Sequence, residues 1–185
     1  MEGKMKKVLI TFICFISLLV VVSCASLSQP EIEFNPTVEV AIDGEDVANV
    51  SLRPIMDGKT TFTKNPGTAG YSLSVENKTG SVIKIVWEKS AVYYAGNSSL
   101  PFIVGQKYID HNTPMSPTVI PANGKNTTGV YSSDQVYYVS GSYGGWRMAN
   151  IPSYDTQVLI CIEAGGKETY YTFTVTGNPI FPPEE

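Results

Sequence analysis

Triad hydrolysis needs a nucleophile, a base and an orienting group, and the chain offers one histidine to serve as base. His111 stands between Asp110 and Asn112, in a connection broken by Pro114, Pro117, Pro121 and Gly124. Side chains adjacent in sequence diverge, so Asp110 is poorly placed to orient His111, and no Gly-x-Ser-x-Gly elbow supplies a nucleophile. One histidine also excludes a two-histidine metal site. Oxygen ligands for calcium cluster only at Asp43-Gly44-Glu45-Asp46, without the alternating spacing of a calcium loop. A solvated turn accounts for that cluster equally well. Gly165-Gly166-Lys167 and Gly124-Lys125 fall between predicted strands, with no following helix to aim amides at phosphate. No catalytic residue, metal site or cofactor is expected.

Aromatic side chains are the remaining candidates. Tyr131, Tyr137, Tyr138, Tyr143, Trp146 and Tyr154 fall in one short region with glycines and Arg147. Rings beside Ser and Gly suit recognition, because they give large contact area at small entropic cost. Tyr138, Tyr143, Trp146 and Arg147 are therefore the candidate binding surface. The same residues also fit packing: one ring of Tyr137-Tyr138 must face inward, and Trp146 can close an open end of the fold.

Export is written at the N-terminus. Lys4, Lys6 and Lys7 outweigh Glu2, and an apolar run from Val8 to Val22 is interrupted only by Thr11 and Ser17. A basic head, a short apolar run and a small residue at the cut make a secretory signal; the run is also short of the roughly 20 residues that span a bilayer. Val21-Val22-Ser23-Cys24 then resembles the lipobox of bacterial lipoproteins. The resemblance covers residues 1–24 and implies cleavage between Ser23 and Cys24, diacylglycerol on the Cys24 thiol, and acylation of the new amino terminus. Each buried methylene contributes about 0.8 kcal/mol, so two or three chains hold where one does not. Ala25, rather than Asp, follows the cysteine, which leans toward an outer membrane, with the domain in the periplasm or at the surface.

Cleavage leaves about 162 residues, enough for one domain and little for two. It also removes three lysines and one glutamate, taking the formal net charge from −4 to about −6. No basic cluster survives, which argues against nucleic acid or anionic lipid head groups as partners. Cys14 leaves with the signal and Cys24 carries lipid, so Cys161 has no partner for a disulfide. Within Val158–Ile162 it reads as a small core hydrophobe.

Strands must position these residues. Val38, Val40 and Ile42 alternate with Thr37, Glu39 and Ala41, the period of a half-buried strand. Val47 to Leu52 reads as a second strand, and residues 57–70 as a loop. Tyr71, Leu73 and Val75 alternate with serines and a glutamate; a turn at residues 77–80 and a return run from Val82 to Trp87 predict a hairpin. Shorter strands come next at 91–95, 101–104, 118–120, 128–131 and 135–140, then a glycine-rich loop at 141–145. Thr156 to Glu163 and Glu168 to Thr176 make a final hairpin with Tyr171, Phe173 and Val175 inward. Residues 178–185, with three prolines, read as a loose tail.

Many short strands with Gly/Pro turns, and no run at helical spacing, predict an all-β antiparallel sandwich. Ser-Val-Glu-Asn-Lys-Thr followed by Ile-Lys-Ile-Val-Trp, within residues 71–99, resembles immunoglobulin-like sandwich domains of bacterial envelope lipoproteins. It also resembles the small sandwich of late-embryogenesis-abundant proteins. The paired core cysteines of true immunoglobulin domains are absent. The expected organisation is a signal peptide at 1–23, a lipidated tether at 24–36, a β-sandwich at 37–177 and the tail at 178–185. The expected role is non-enzymatic binding or scaffolding in the cell envelope, anchored to the membrane through Cys24, with an envelope protein or a glycan as partner. The alternative is a carbohydrate-binding surface lipoprotein using the loop around Tyr143 and Trp146. A hydrolase with an unfamiliar site at Asp110 and His111 stands behind both.

Overall fold

The best local logic in the chain lies near its C-terminus. Residues 156–164 and 167–176 pair antiparallel from Thr156↔Val175 to Ala164↔Lys167, and Gly165-Gly166 alone make the turn. Both glycines have positive φ, +57° and +79°, the twist that a two-residue hairpin requires and that side chains resist. Tyr171, Phe173 and Val175 are buried on one face, as their alternation implies.

The computed structural model describes residues 33–34, 36–56, 67–149, 151–152, 156–177 and 179–180. The expected signal peptide, Ser23, Cys24, the tether up to residue 32, most of the 57–70 loop, Tyr154 and the end of the tail lie outside these residues. In chain order the strands are β1 (Glu33–Phe34), β2 (Thr37–Asp43), β3 (Ala48–Met56), β4 (Gly67–Asn77), β5 (Ile83–Ile85) and β6 (Ala91–Tyr94). Next come β7 (Asn97–Ser99), β8 (Pro101–Ile103), β9 (Thr118–Ile120), β10 (Lys125–Ser132) and β11 (Val136–Val139). The last are β12 (Gly145–Met148), β13 (Ile151–Pro152), β14 (Thr156–Ala164), β15 (Lys167–Thr176) and β16 (Pro179–Ile180). No helix among the described residues is long and apolar enough to cross a membrane.

The fold is all-β and antiparallel. One sheet runs β2-β15-β14, with β5 and β6 both on the far side of β14, β9 beyond β5 and β7 beyond β6. The second runs β3-β4-β10-β8, with β13 beside the start of β4. Leu73, Val75 and Val130 from the second sheet share one buried cluster with Ile85, Trp87, Ile160 and Phe173 from the first. Burial of these faces against each other is the main stabilising term. Two small ribbons complete the chain: β1 with β16, and β11 with β12.

The expected hairpin between Tyr71–Val75 and Val82–Trp87 does not form. β4 pairs with β3 and β10, while β5 pairs with β14 and β9, so the turn crosses between sheets. Asn77 is the cause. It is buried, and its Nδ2 donates to the carbonyls of Ser81 (2.8 Å), Ile120 (3.3 Å) and Pro121 (2.9 Å). Its Oδ1 accepts from Thr79 N and Oγ1, both at 2.8 Å. A turn residue bonded to a connection in the other sheet makes a corner.

β5 and β6 are one strand broken by a 3-10 turn at Trp87–Lys89. The break sends Trp87 into the core, where its Nε1 donates to Thr118 Oγ1 at 2.9 Å. Ser90 repairs the ladder, its Oγ accepting from Cys161 N (3.0 Å) and donating to Val86 O (2.9 Å).

Two other expectations need correction. Val40 and Ile42 are not half-buried inward residues; they are 50% and 45% exposed. β2 pairs only with β15 among the described residues, and of its inner positions only Val38 packs on the core. Alternation sets which way a side chain points and leaves open whether the facing layer reaches it. Residues 67–70, read as loop, are the start of β4.

Candidate functional site

β10 delivers the chain to Ser132, where a short capped turn sets the path into β11. Ser132 Oγ accepts from Asp134 N at 3.2 Å, while Gln135 Oε1 accepts from Ser132 N at 2.7 Å. This reciprocal arrangement satisfies the free amides of the turn. Ser132 and Ser99 share a 2.6 Å hydroxyl contact, which ties β10 to β7 in the first sheet. Gln135 then closes the root of the β11–β12 ribbon, its Nε2 donating to Ala149 O and its carbonyl accepting from Ala149 N, at 2.7 and 2.8 Å. The glycine-rich segment read as a loop is therefore the tip of a hairpin, with Gly144 N donating to Gly141 O at 2.8 Å.

Register decides which residues share a face. Tyr138 stands directly opposite Trp146, and Tyr137 opposite Arg147. Tyr138 meets the Trp146 ring edge-on, with centroids 5.5 Å apart and planes at 70°. Trp146 lies near-parallel to Tyr108 (6.5 Å, 12°), and Tyr108 near-parallel to Phe102 (5.5 Å, 15°). Phe102 tilts against Tyr131 at 6.5 Å, and His111 meets Trp146 edge-on at 5.5 Å. The result is a continuous row of rings from β10 to the hairpin. Its inner end, half-buried Tyr131, rests on backbone: a Cβ at Gly70 would come within 2.3 Å of the Tyr131 ring, so only glycine lets the ring lie there.

The other end of the row is open. Tyr143 at the tip is 93% exposed, Tyr138 61%, and Ile109 beside Tyr108 70%. Arg147 folds back on the hairpin, donating from Nη2 to Tyr143 O and from Nη1 to Trp146 O, both at 3.1 Å. Ring-on-ring contacts in such geometries contribute about 0.5–1.5 kcal/mol each beyond their area. The packing thus supports Trp146 and Tyr138 from below while leaving Tyr138 and Tyr143 exposed.

Of the four candidate residues, the structure joins Tyr138 and Trp146 edge to face and sets Arg147 and Tyr143 on the same hairpin. Tyr131 joins from below, and Tyr137 points to the other side; neither ring of Tyr137-Tyr138 faces inward as expected, because the two-stranded ribbon has no buried face at these positions and both are exposed. His111, considered in the sequence only as a catalytic base, meets Trp146 instead, and Phe102, Tyr108 and Ile109 were missed. Their one sequence signal is an apolar-aromatic run, Tyr108-Ile109, stranded in a polar Pro-rich connection.

The other candidate chemistry has been drawn into structural roles. His111 Nδ1 lies 2.8 Å from Tyr108 O, so its bonding partner is a backbone carbonyl of its own turn. Cys161 is buried on the outer side of β14 beneath Tyr170, Lys89 and Glu168, and burial pushes its thiol pKa up. Asp46 pairs with Lys78 at 2.9 Å; that bond, aided by the Tyr171 hydroxyl, holds its carboxyl below the usual range. Among the described residues, no three His, Cys, Asp or Glu side chains gather as metal ligands. The chain matches no protein-family model, and neither curated proteins nor solved structures give a match to it.

Proposed function

We propose that this chain is a lipid-anchored module of the bacterial cell envelope, an immunoglobulin-like β-sandwich that works by binding rather than by catalysis. Three features support the reading. The lipobox-like Val21-Val22-Ser23-Cys24 ends a secretory signal and supplies the anchor. The two-sheet antiparallel fold suits a sandwich, and such folds serve binding through loops at their ends. The observation that carries the proposal is the aromatic hairpin, whose rings are rigidly supported at one end and exposed at the other.

The anchor is tested by feeding cells an alkyne fatty acid and comparing the chain with its Cys24→Ser variant. Label should appear on the first and vanish in the second; equal label in both would sink the anchor. The binding surface is tested by a photo-crosslinking residue at position 143 in intact cells. Adducts should disappear when Trp146→Ala removes the neighbouring ring. Adducts unchanged by that variant would show that the hairpin is not the contact surface. A glycan array with hits lost on Tyr143→Ala would instead make the ligand a carbohydrate.

A further inference from the structure

The chain enters the domain at the end where the aromatic hairpin leaves it. Thr37, the first residue of β2, pairs with Thr176, and the neighbouring Val175 pairs with Thr156, so β2 starts, β15 ends and β14 starts at one end. Ser132 ends β10 at that same end, because its hydroxyl meets Ser99, which pairs with Val92, which pairs with Val158. The hairpin grows from Ser132. The β1–β16 ribbon continues from the same end.

Chain length then limits where this end can be. Cys24 precedes Glu33 by about nine residues, which fully extended span roughly 30 Å. Any anchor at Cys24 therefore keeps the hairpin end within about one domain diameter of the bilayer. Held so close, even a weak surface affinity suffices, because binding becomes intramolecular.

The exposed side chains fit that neighbour. Among the described residues, five of the twelve exposed large apolar or aromatic side chains, Val104, Tyr108, Ile109, Tyr138 and Tyr143, are on or beside the ring row, and Tyr137 and Val139 are on the other face of the same hairpin. Tyr and Trp rings, apolar in body and polar at the tip, concentrate where hydrocarbon meets water. Ile109 and Val104 have no polar tip to justify their exposure to water. The Arg147 guanidinium is taken up by the Tyr143 and Trp146 carbonyls, so the rings and the apolar side chains, rather than charge, are what this surface offers a bilayer.

We propose that the aromatic hairpin and the Tyr108–Ile109 turn form a bilayer-docking surface, seating their rings in the headgroup region of the membrane that holds the Cys24 lipid. The proposal rests on the lipid-anchor reading above and names the partner of the same surface. Docking turns a tethered domain into one with a set orientation, its Asp43–Asp46 end facing away from the membrane.

Tryptophan fluorescence tests it, since the chain has two tryptophans and Trp87 is fully buried in the core. The full lipidated protein is reconstituted into vesicles of phosphatidylethanolamine and phosphatidylglycerol doped with brominated-tail phosphatidylcholine, then floated on a density gradient. Floating protein should lose most of the Trp146 share of its emission to bromine quenching. Trp146→Phe should show no quenching. Ile109→Asp combined with Tyr143→Asp should float as well but be quenched several-fold less, with the Trp87 emission reporting an intact fold. Protein that floats without quenching overturns the docking proposal and leaves the anchor standing. Protein that does not float overturns the anchor reading and the docking with it. Trp146 shielded from acrylamide by a soluble glycan, but not by the bilayer, gives the surface to carbohydrate and overturns the proposal.

Discussion

Replacing Tyr171 by Phe should cost about 2 kcal/mol of folding stability, although it removes a single atom. The Tyr171 ring is in the core, and its hydroxyl reaches across to the start of the second sheet. It accepts from Val47 N and Ala48 N, both at 3.2 Å, and lies 3.2 Å from Asp46 Oδ1. Phenylalanine keeps the ring and opens no large cavity, so the loss isolates the polar node. Val47 and Ala48 are buried, and an orphaned buried amide costs about 1–3 kcal/mol. Bonds of 3.2 Å are at the long end of the range, and the Asp46 side chain is 48% exposed, so water can reach part of the site. The low end of the range, applied to two amides, leads to the figure of about 2 kcal/mol. For a domain of this size that lowers Tm by about 8 °C. Urea and thermal unfolding at neutral pH, monitored by Trp87 emission, measure it. Asp46→Asn in the same background should be non-additive with Tyr171→Phe, since both act on one node. A loss under about 0.5 kcal/mol would show that water replaces the hydroxyl freely and that the node does not join the sheets.

Buried and paired groups give three further expected outcomes. Among the described residues Tyr71 OH and Thr156 Oγ1 are buried without hydrogen-bond partners, and burial pushes the Tyr71 phenol pKa up despite the neighbouring Thr156 hydroxyl; Thr156→Val should therefore stabilise by about 1 kcal/mol in urea unfolding, and a loss would mean that Thr156 is bonded. Asp46 and Glu168 are held below their ordinary 3.8 and 4.5, by Lys78 and Lys89 respectively. Depressed carboxylates contribute above their unfolded values and lose that contribution as pH falls through the folded ones. The urea midpoint should thus hold from neutral pH to near 4.5 and decline below it, less steeply in Lys78→Met. Tyr170, bonded to Glu168, is raised from 10.0 to about 12, so its contribution is complete below pH 10 and lost as pH rises through about 12. Tyr170→Phe should remove the latest step of the phenolate absorbance titration, and an unchanged profile would refute the assignment.

The elements readable from sequence are those whose partners are near in the chain. Thr156–Thr176 shows its alternation, its Gly-Gly turn and its buried stripe within a score of residues, and Thr118–Ile120 stands out between prolines. Asn77 shows the opposite case. A hairpin turn and an inter-sheet corner begin with the same residues, and what separates them is the carbonyls of Ile120 and Pro121, which the local pattern does not contain. Gly145-Trp146-Arg147-Met148 is too short and too mixed to show alternation, so β12 was hidden in a glycine-rich run. The candidate residues Tyr138, Tyr143, Trp146 and Arg147 were visible by type. The support under them was not, because Phe102 and Tyr108 come from another strand and turn. Only the Phe102↔Tyr131 register brings them under Trp146.

The order of strands in the first sheet bears on how the chain is made. Its two central strands, β14 and β15, follow every other strand of that sheet in the chain, and among the described residues β2 pairs only with β15. A growing chain therefore cannot close this sheet at any intermediate length. Such long-range pairing is slow, because loop closure must precede the contacts that reward it. Until β15 has emerged this sheet stays open, the state in which its earlier strands can still be passed through a narrow pore.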